Sequence, residues 1–144
     1  MNSYVPEPFA KFNLENWPIV IVKCNDLKTN DEFDDFLSKW ENLGSRGEDY
    51  YFILDTRNIK NIGFTNAYSG INFIKRLKKQ KEQYLKGTIL IYNNQFLYYL
   101  FNMVMSFQDP VSMIYTYFTD KTYDLDYLTL FKIKDTDKNF KIFG

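Results

Sequence analysis

The chain contains no histidine and a single cysteine, Cys24, in 144 residues. Zinc sites of the Cys/His type, histidine acid–base catalysis and an internal disulfide are thereby excluded. A lone thiol fits a reducing compartment, and the cytoplasm is the expected location. Glycine (6) and proline (4) are scarce. The glycine-dependent signatures Gly-x-Gly-x-x-Gly, Gly-x-x-x-x-Gly-Lys-Ser/Thr and Gly-x-Ser-x-Gly are all missing, so no phosphate cradle or nucleophile elbow is legible. The first residues, MNSYVPEPFAKF, lack the basic and apolar regions of a secretory signal. Net charge is also absent, with 18 bases against 18 acids, which removes any global case for nucleic acid or an anionic membrane.

What is present is unevenly placed. Residues 1–55 carry 11 acids and 5 bases, residues 56–90 carry 1 acid and 8 bases, and residues 91–144 carry 6 acids and 5 bases. The surface is therefore expected to be polarised. The length suits one domain over residues 1–144, with a core from about 9 to 131 and an extended or frayed tail at 132–144.

The order of elements follows from pattern. Phe9–Leu14 and the β-branched run Ile19–Lys23 predict an opening hairpin. Thr29 or Asn30 can then cap a helix whose first turn is acidic and whose apolar residues Phe33, Phe36, Leu37, Trp40 and Leu43 recur at helical spacing up to Gly44. Tyr50–Leu54 is a continuous apolar strand, as in a sheet covered on both faces, and it ends at Asp55. A helix is expected from about Thr65. After a break at Lys86-Gly87 come a strand over Thr88–Tyr92, a helix from Gln95 to Phe107 capped by Asn93 or Asn94, a strand over Met113–Phe118 and a short helix at Leu125–Phe131. The order β-β-α-β-α-β-α-β-α predicts an α/β fold: a mixed, mostly parallel sheet with helices packed against it.

Thr88–Gln108 is a run of 21 uncharged residues. The polar triplet Asn93-Asn94-Gln95 divides it into a strand-sized and a helix-sized piece, each shorter than the ~20 apolar residues that span a bilayer, so no transmembrane segment is expected. The helical piece is apolar nearly all round, and Phe96, Leu97, Phe101 and Met105 are candidates for an interface with a protein partner or a second copy.

This order of elements resembles the STAS domain, found in bacterial anti-sigma-factor antagonists (the SpoIIAA-like fold) and in the cytoplasmic tails of sulfate transporters. The resemblance runs from about Lys11 to Leu128 through FNLENWPIVIVKC, TNDEFDDFL, YYFILDTRNIKNIGFTNAYSGI, GTILIYNNQFLYYLFNMVMSF and PVSMIYTYFTD. In the antagonists an Asp-Ser-Ser-Gly motif at the start of the second helix is phosphorylated on its second serine. Here Gly63-Phe64-Thr65-Asn66 falls over that motif. The resemblance thus implies Thr65 as phosphoacceptor, although Gly63, Phe64 and Asn66 replace the acid, the first serine and the glycine. Lipid-binding domains of the CRAL-TRIO class share part of the pattern.

Weighed residue by residue, the chemistry is sparse. Thr65 also reads simply as an N-cap, a role that stabilises a helix by about 1 kcal/mol. Asp55 could serve as a base or cation ligand, but no second acid is paired with it in the sequence, and a turn-capping role is simpler. Arg57, Asn58, Asn61 and Asn66 provide polar groups for a binding loop and would be equally at home in an ordinary turn. Lys75, Arg76, Lys78 and Lys79 form the basic side of an amphipathic helix, which would suit an acidic protein surface better than nucleic acid, since no nucleic-acid module accompanies it. No catalytic residue, metal ligand or cofactor is expected. The sequence reads as a non-enzymatic interaction module binding through the loop 56–66, the following basic helix and the apolar helix 96–107. The alternatives are a carrier for a lipid or other apolar molecule, lined by the Phe and Tyr residues of the second half, and a structural subunit of a larger assembly, viral or otherwise.

Overall fold

The computed structural model describes residues 7–107 and 109–143. The first residues of the N-terminal segment read above, 1–6, and Gln108 at the end of the uncharged run lie outside them. Ten elements follow in order: β1 (Ala10–Asn13), β2 (Ile19–Cys24), α1 (Asn30–Gly44), β3 (Tyr50–Asp55), α2 (Phe64–Lys78), β4 (Leu85–Tyr92), α3 (Gln95–Phe107), β5 (Ile114–Phe118), α4 (Tyr127–Ile133) and β6 (Phe140–Phe143). The fold is α/β, with one six-stranded sheet in the order β1-β2-β3-β4-β5-β6. Its interior pairings, β2 to β3 to β4 to β5, are parallel, and both ends are antiparallel, β1 on β2 and β6 on β5.

Alternation along the strands sorts side chains into two cores. Val20, Val22, Phe52, Leu90 and Tyr92 point to one face, where they pack with Phe33, Phe36 and Leu37 of α1, Phe73, Ile74 and Leu77 of α2, and Leu97 and Met105 of α3. Ile21, Ile53, Ile89, Ile91 and Tyr115 point to the other, where Leu130 of α4 and Phe140 of β6 cover them. Because β2 to β5 follow one another across the sheet, successive crossovers of the same hand carry α1, α2 and α3 to a single face. The continuous apolar runs of β3 and β4 follow from this double covering.

One sequence expectation is corrected and another is sharpened. Lys86-Gly87 does not interrupt the chain, since β4 begins at Leu85. A Cβ at Gly87 would meet Cδ1 of Tyr51 at 3.3 Å, so glycine lets the Tyr51 ring lie against the strand, next to a shift in register between Tyr50 and Tyr51. Of the tail at 132–144 expected to be extended or frayed, the described part to residue 143 is ordered, and Gly144 lies outside the described residues. α4 continues to Ile133, and β6 adds an edge strand that buries Phe140.

Candidate functional site

The parallel strands β2 to β5 all end on the same edge of the sheet, and the first turns of α1, α2 and α3 start there. Each start has its own local reason. Thr29 caps α1 in a capping box, its hydroxyl accepting from the Glu32 amide while Glu32 accepts from the Thr29 amide. Asn94 caps α3, its Oδ1 accepting from the Phe96 amide at 2.8 Å. At α2 the cap is Gly63, and the polar partner comes from inside the helix: Asn66 Oδ1 accepts from the Gly63 amide at 3.1 Å. The buried Asn66 also donates to Asn30 Oδ1 at 3.1 Å, linking the beginnings of α1 and α2. Thr65 is therefore not the cap. It sits exposed as the second residue of α2 with its hydroxyl outside the capping arrangement.

The loop leading into α2 is clamped from both sides. Asp26, which sequence reasoning passed over, accepts from the Lys60 amide at 2.8 Å and the Asn61 amide at 2.9 Å, with the Asn61 side chain added at 3.3 Å. Asp55 caps the turn as expected, accepting from the Arg57 amide at 3.2 Å, but it also has partners that the sequence did not reveal. The Arg57 guanidinium donates to it through Nε at 2.9 Å and through a terminal nitrogen at 2.8 Å, and the Tyr127 hydroxyl donates to it at 2.6 Å. Arg57 further donates to the Lys121 and Tyr123 carbonyls at 2.8 and 2.9 Å. These bonds fasten the end of β3 to the segment between β5 and α4. Of the other loop residues, Asn58 is exposed on the surface.

The electrostatics of this cluster are those of a satisfied structural pair. Burial alone would push the Asp55 carboxyl up, yet the hydrogen bonds from Arg57 and Tyr127 outweigh it and hold the pKa below the ordinary carboxylate value. Its bond to Asp55 raises Arg57 further. Burial, aided by Asp55, raises the Tyr127 phenol. Neighbouring Cys24 is fully buried, and desolvation reinforced by the Asp55 charge pushes its thiol up to about 12, which keeps it a neutral apolar group. A carboxylate held ionised by a bidentate arginine is a poor general base. Among the described residues, no group of three or more His, Cys, Asp or Glu is placed to hold a metal ion. No helix among them is long and apolar enough to cross a membrane.

The four apolar residues assigned to an interface divide. Leu97 and Met105 are buried in the core, which corrects their assignment, because α3 turns that stripe toward β4. Phe101 is half-buried with its ring 5.2 Å from that of Phe143 on β6. Phe96 alone faces outward, and it has company. Phe64 and Tyr68 of α2 and Phe96 and Tyr99 of α3 are 58, 67, 48 and 58 % exposed. The Phe64 and Phe96 ring centroids lie 6.4 Å apart edge to face, and those of Phe96 and Tyr99 lie 6.4 Å apart and nearly parallel. The i, i+4 spacing of Phe64 and Tyr68 and the i, i+3 spacing of Phe96 and Tyr99 signal such stripes in hindsight; their meeting depends on the packing of α2 against α3.

The basic residues Lys75, Arg76, Lys78 and Lys79 are all exposed along the second half of α2. Arg76 reaches Glu41 of α1 at 2.8 Å, and Lys78 donates to the Asp109 carbonyl at 3.3 Å. Neither Lys75 nor Lys79 makes an ion pair among the described residues. Taken along its axis, α2 thus presents aromatic rings at its start and cations at its end.

No protein-family model matches the chain, and neither a curated protein nor a solved structure is significantly similar to it.

Proposed function

We propose that the chain is a non-enzymatic, cytoplasmic interaction module of STAS-like type that docks a protein partner on the outer surface of α2 and α3. The observation that carries this reading is the cluster of four exposed aromatic rings, Phe64, Tyr68, Phe96 and Tyr99, from two neighbouring helices. Single exposed apolar residues need no explanation, but grouped aromatics on a folded surface are the composition of interface anchors. Exposed cations further along α2 extend the surface and favour a partner with an acidic rim, which steers encounter more than it adds affinity. The acidic first turn of α1 makes a second copy of this chain one such partner. An opening hairpin followed by alternating helices and strands supports the STAS-like part of the reading, and Thr65, exposed next to Phe64 in the first turn of α2, is where a phosphate would alter that surface.

The test compares the wild type with Phe64→Ser/Phe96→Ser, purified under identical conditions with whatever protein they retain, alongside sedimentation of each alone. A retained partner or self-association that the double variant loses, with its unfolding midpoint unchanged, is expected. Equal retention by both proteins overturns the assignment of the surface.

A further inference from the structure

Protein interiors are packed as densely as organic crystals, with few voids larger than a water molecule. Beside its packed core this chain has a cavity that opens to solvent. The cavity, of about 200 Å³, lies between the sheet and the layer of α1, α2 and α3. For comparison, an engineered cavity of about 150 Å³ lined by Leu, Ile and Phe in another protein stays dry and takes up benzene.

Its shape and lining restrict what it would take. Leu85 and Leu90 of β4 both line it, and five residues of strand place them roughly 16 Å apart. The lining also crosses the sheet from Cys24 of β2 to Ile114 of β5, so the channel is about as broad as it is long. No Asp, Glu, Lys or Arg lines it, so a charged head group inside would be desolvated and unpaired. Ser112, one of the lining residues, has a hydroxyl oxygen that is shut off from solvent and has no hydrogen-bond partner among the described residues, whereas the equally buried Trp40 Nε1 lies beside the Tyr50 side chain. Buried donors are rarely left unpartnered, and the Ser112 hydroxyl calls for a partner. At the α2 side, half-buried Gly70 lines the channel, and a Cβ added there would meet nothing within 4 Å.

From the channel, its uncharged lining and the unpartnered Ser112 hydroxyl, we infer that the protein binds an uncharged apolar molecule carrying one hydroxyl or carbonyl oxygen, of the class of a medium-chain alcohol or aldehyde. The molecule lies between the sheet and the helices, and its oxygen meets Ser112. This site is internal and separate from the aromatic surface, so it stands or falls independently of the docking role.

The probe is decanol, titrated into the full chain with tryptophan fluorescence and the unfolding midpoint as readouts. Saturable binding that perturbs the Trp40 signal and raises the midpoint is expected. Gly70→Leu should stay folded, because its side chain enters open space, and should lose at least about tenfold in affinity by occupying the channel. Ser112→Ala, which leaves the Trp40 signal in place, should weaken decanol by about two- to tenfold, the worth of one hydrogen bond. Decanoate at neutral pH should bind more weakly than decanol. Absence of saturable decanol binding, or a folded Gly70→Leu that binds as well as the wild type, overturns the inference. Equal affinity for decanoate overturns its uncharged character.

Discussion

Arg57 and Asp55, two residues apart at the end of β3, form a two-pronged ion pair with side chains only 8 and 5 % exposed. Tyr127, 72 positions further along, completes the cluster from α4. A buried pair of this kind adds little over an apolar replacement, yet breaking it leaves a charge with no partner. Arg57→Ala should therefore destabilise the protein by about 3–5 kcal/mol in denaturant unfolding. By contrast, Arg76→Ala, which removes an exposed pair with Glu41, should cost no more than about 1 kcal/mol. Similar losses in the two variants would contradict the cluster's structural role.

The same cluster determines an acid limb of stability. The folded pKa of Asp55 lies below its ordinary 3.8, so its contribution is fully present above that value. It is lost as pH falls through the lower folded value. Stability of the wild type should drop below about pH 4 more steeply than that of Asp55→Asn. Parallel pH profiles would show that the carboxylate is not held as described.

An alkaline limb follows from the opposite sign. Hydrogen bonding to Asp135, with some burial, raises the Tyr115 phenol from 10.0 to about 12. A raised folded pKa gives stability that is present below the unfolded value and lost as pH rises through the folded one. Unfolding midpoints measured from pH 10 to 12 should fall more for the wild type than for Tyr115→Phe, and phenolate absorbance should show one late-titrating tyrosine lost in the variant.

Helix α2 offers a sharp contrast between neighbours. Asn66 is buried and bonded to both Gly63 and Asn30, so Asn66→Ala should cost about 1–2 kcal/mol. Thr65 is exposed and caps nothing, so Thr65→Ala should lie within about 0.5 kcal/mol of the wild type. Chemical denaturation of the two variants checks this. The reverse order would restore Thr65 as the cap.

How far the sequence disclosed these features depends on the range of the interactions. α1 was legible to within a residue at each end, because Thr29 and the acidic first turn act locally, although the cap was open between Thr29 and Asn30 and the helix includes Gly44 and is capped by Ser45. The interior strands were legible from unbroken apolar runs. β6 was not, since four residues with one buried ring carry too little pattern to distinguish an edge strand from a tail. The loop residues were singled out as polar, but their partners, Asp26 for Asn61 and Tyr127 for Asp55, are 35 and 72 positions away. No local rule reaches that far. On α3 the uniformly apolar sequence hid which side faces the sheet, so Leu97 and Met105 were assigned outward together with Phe96.

Grouping of Phe64 and Phe96 on one outward surface is the claim on which the functional account rests, and site-specific photo-crosslinking in cells reaches it most directly. A photoreactive residue replaces Phe64 in one protein and Ile142, exposed on the edge strand β6, in another. The account predicts a discrete protein adduct, either to a partner or to a second copy, from position 64 and none of the same mass from position 142. The same adduct from both positions, or an adduct from position 142 alone, would contradict it.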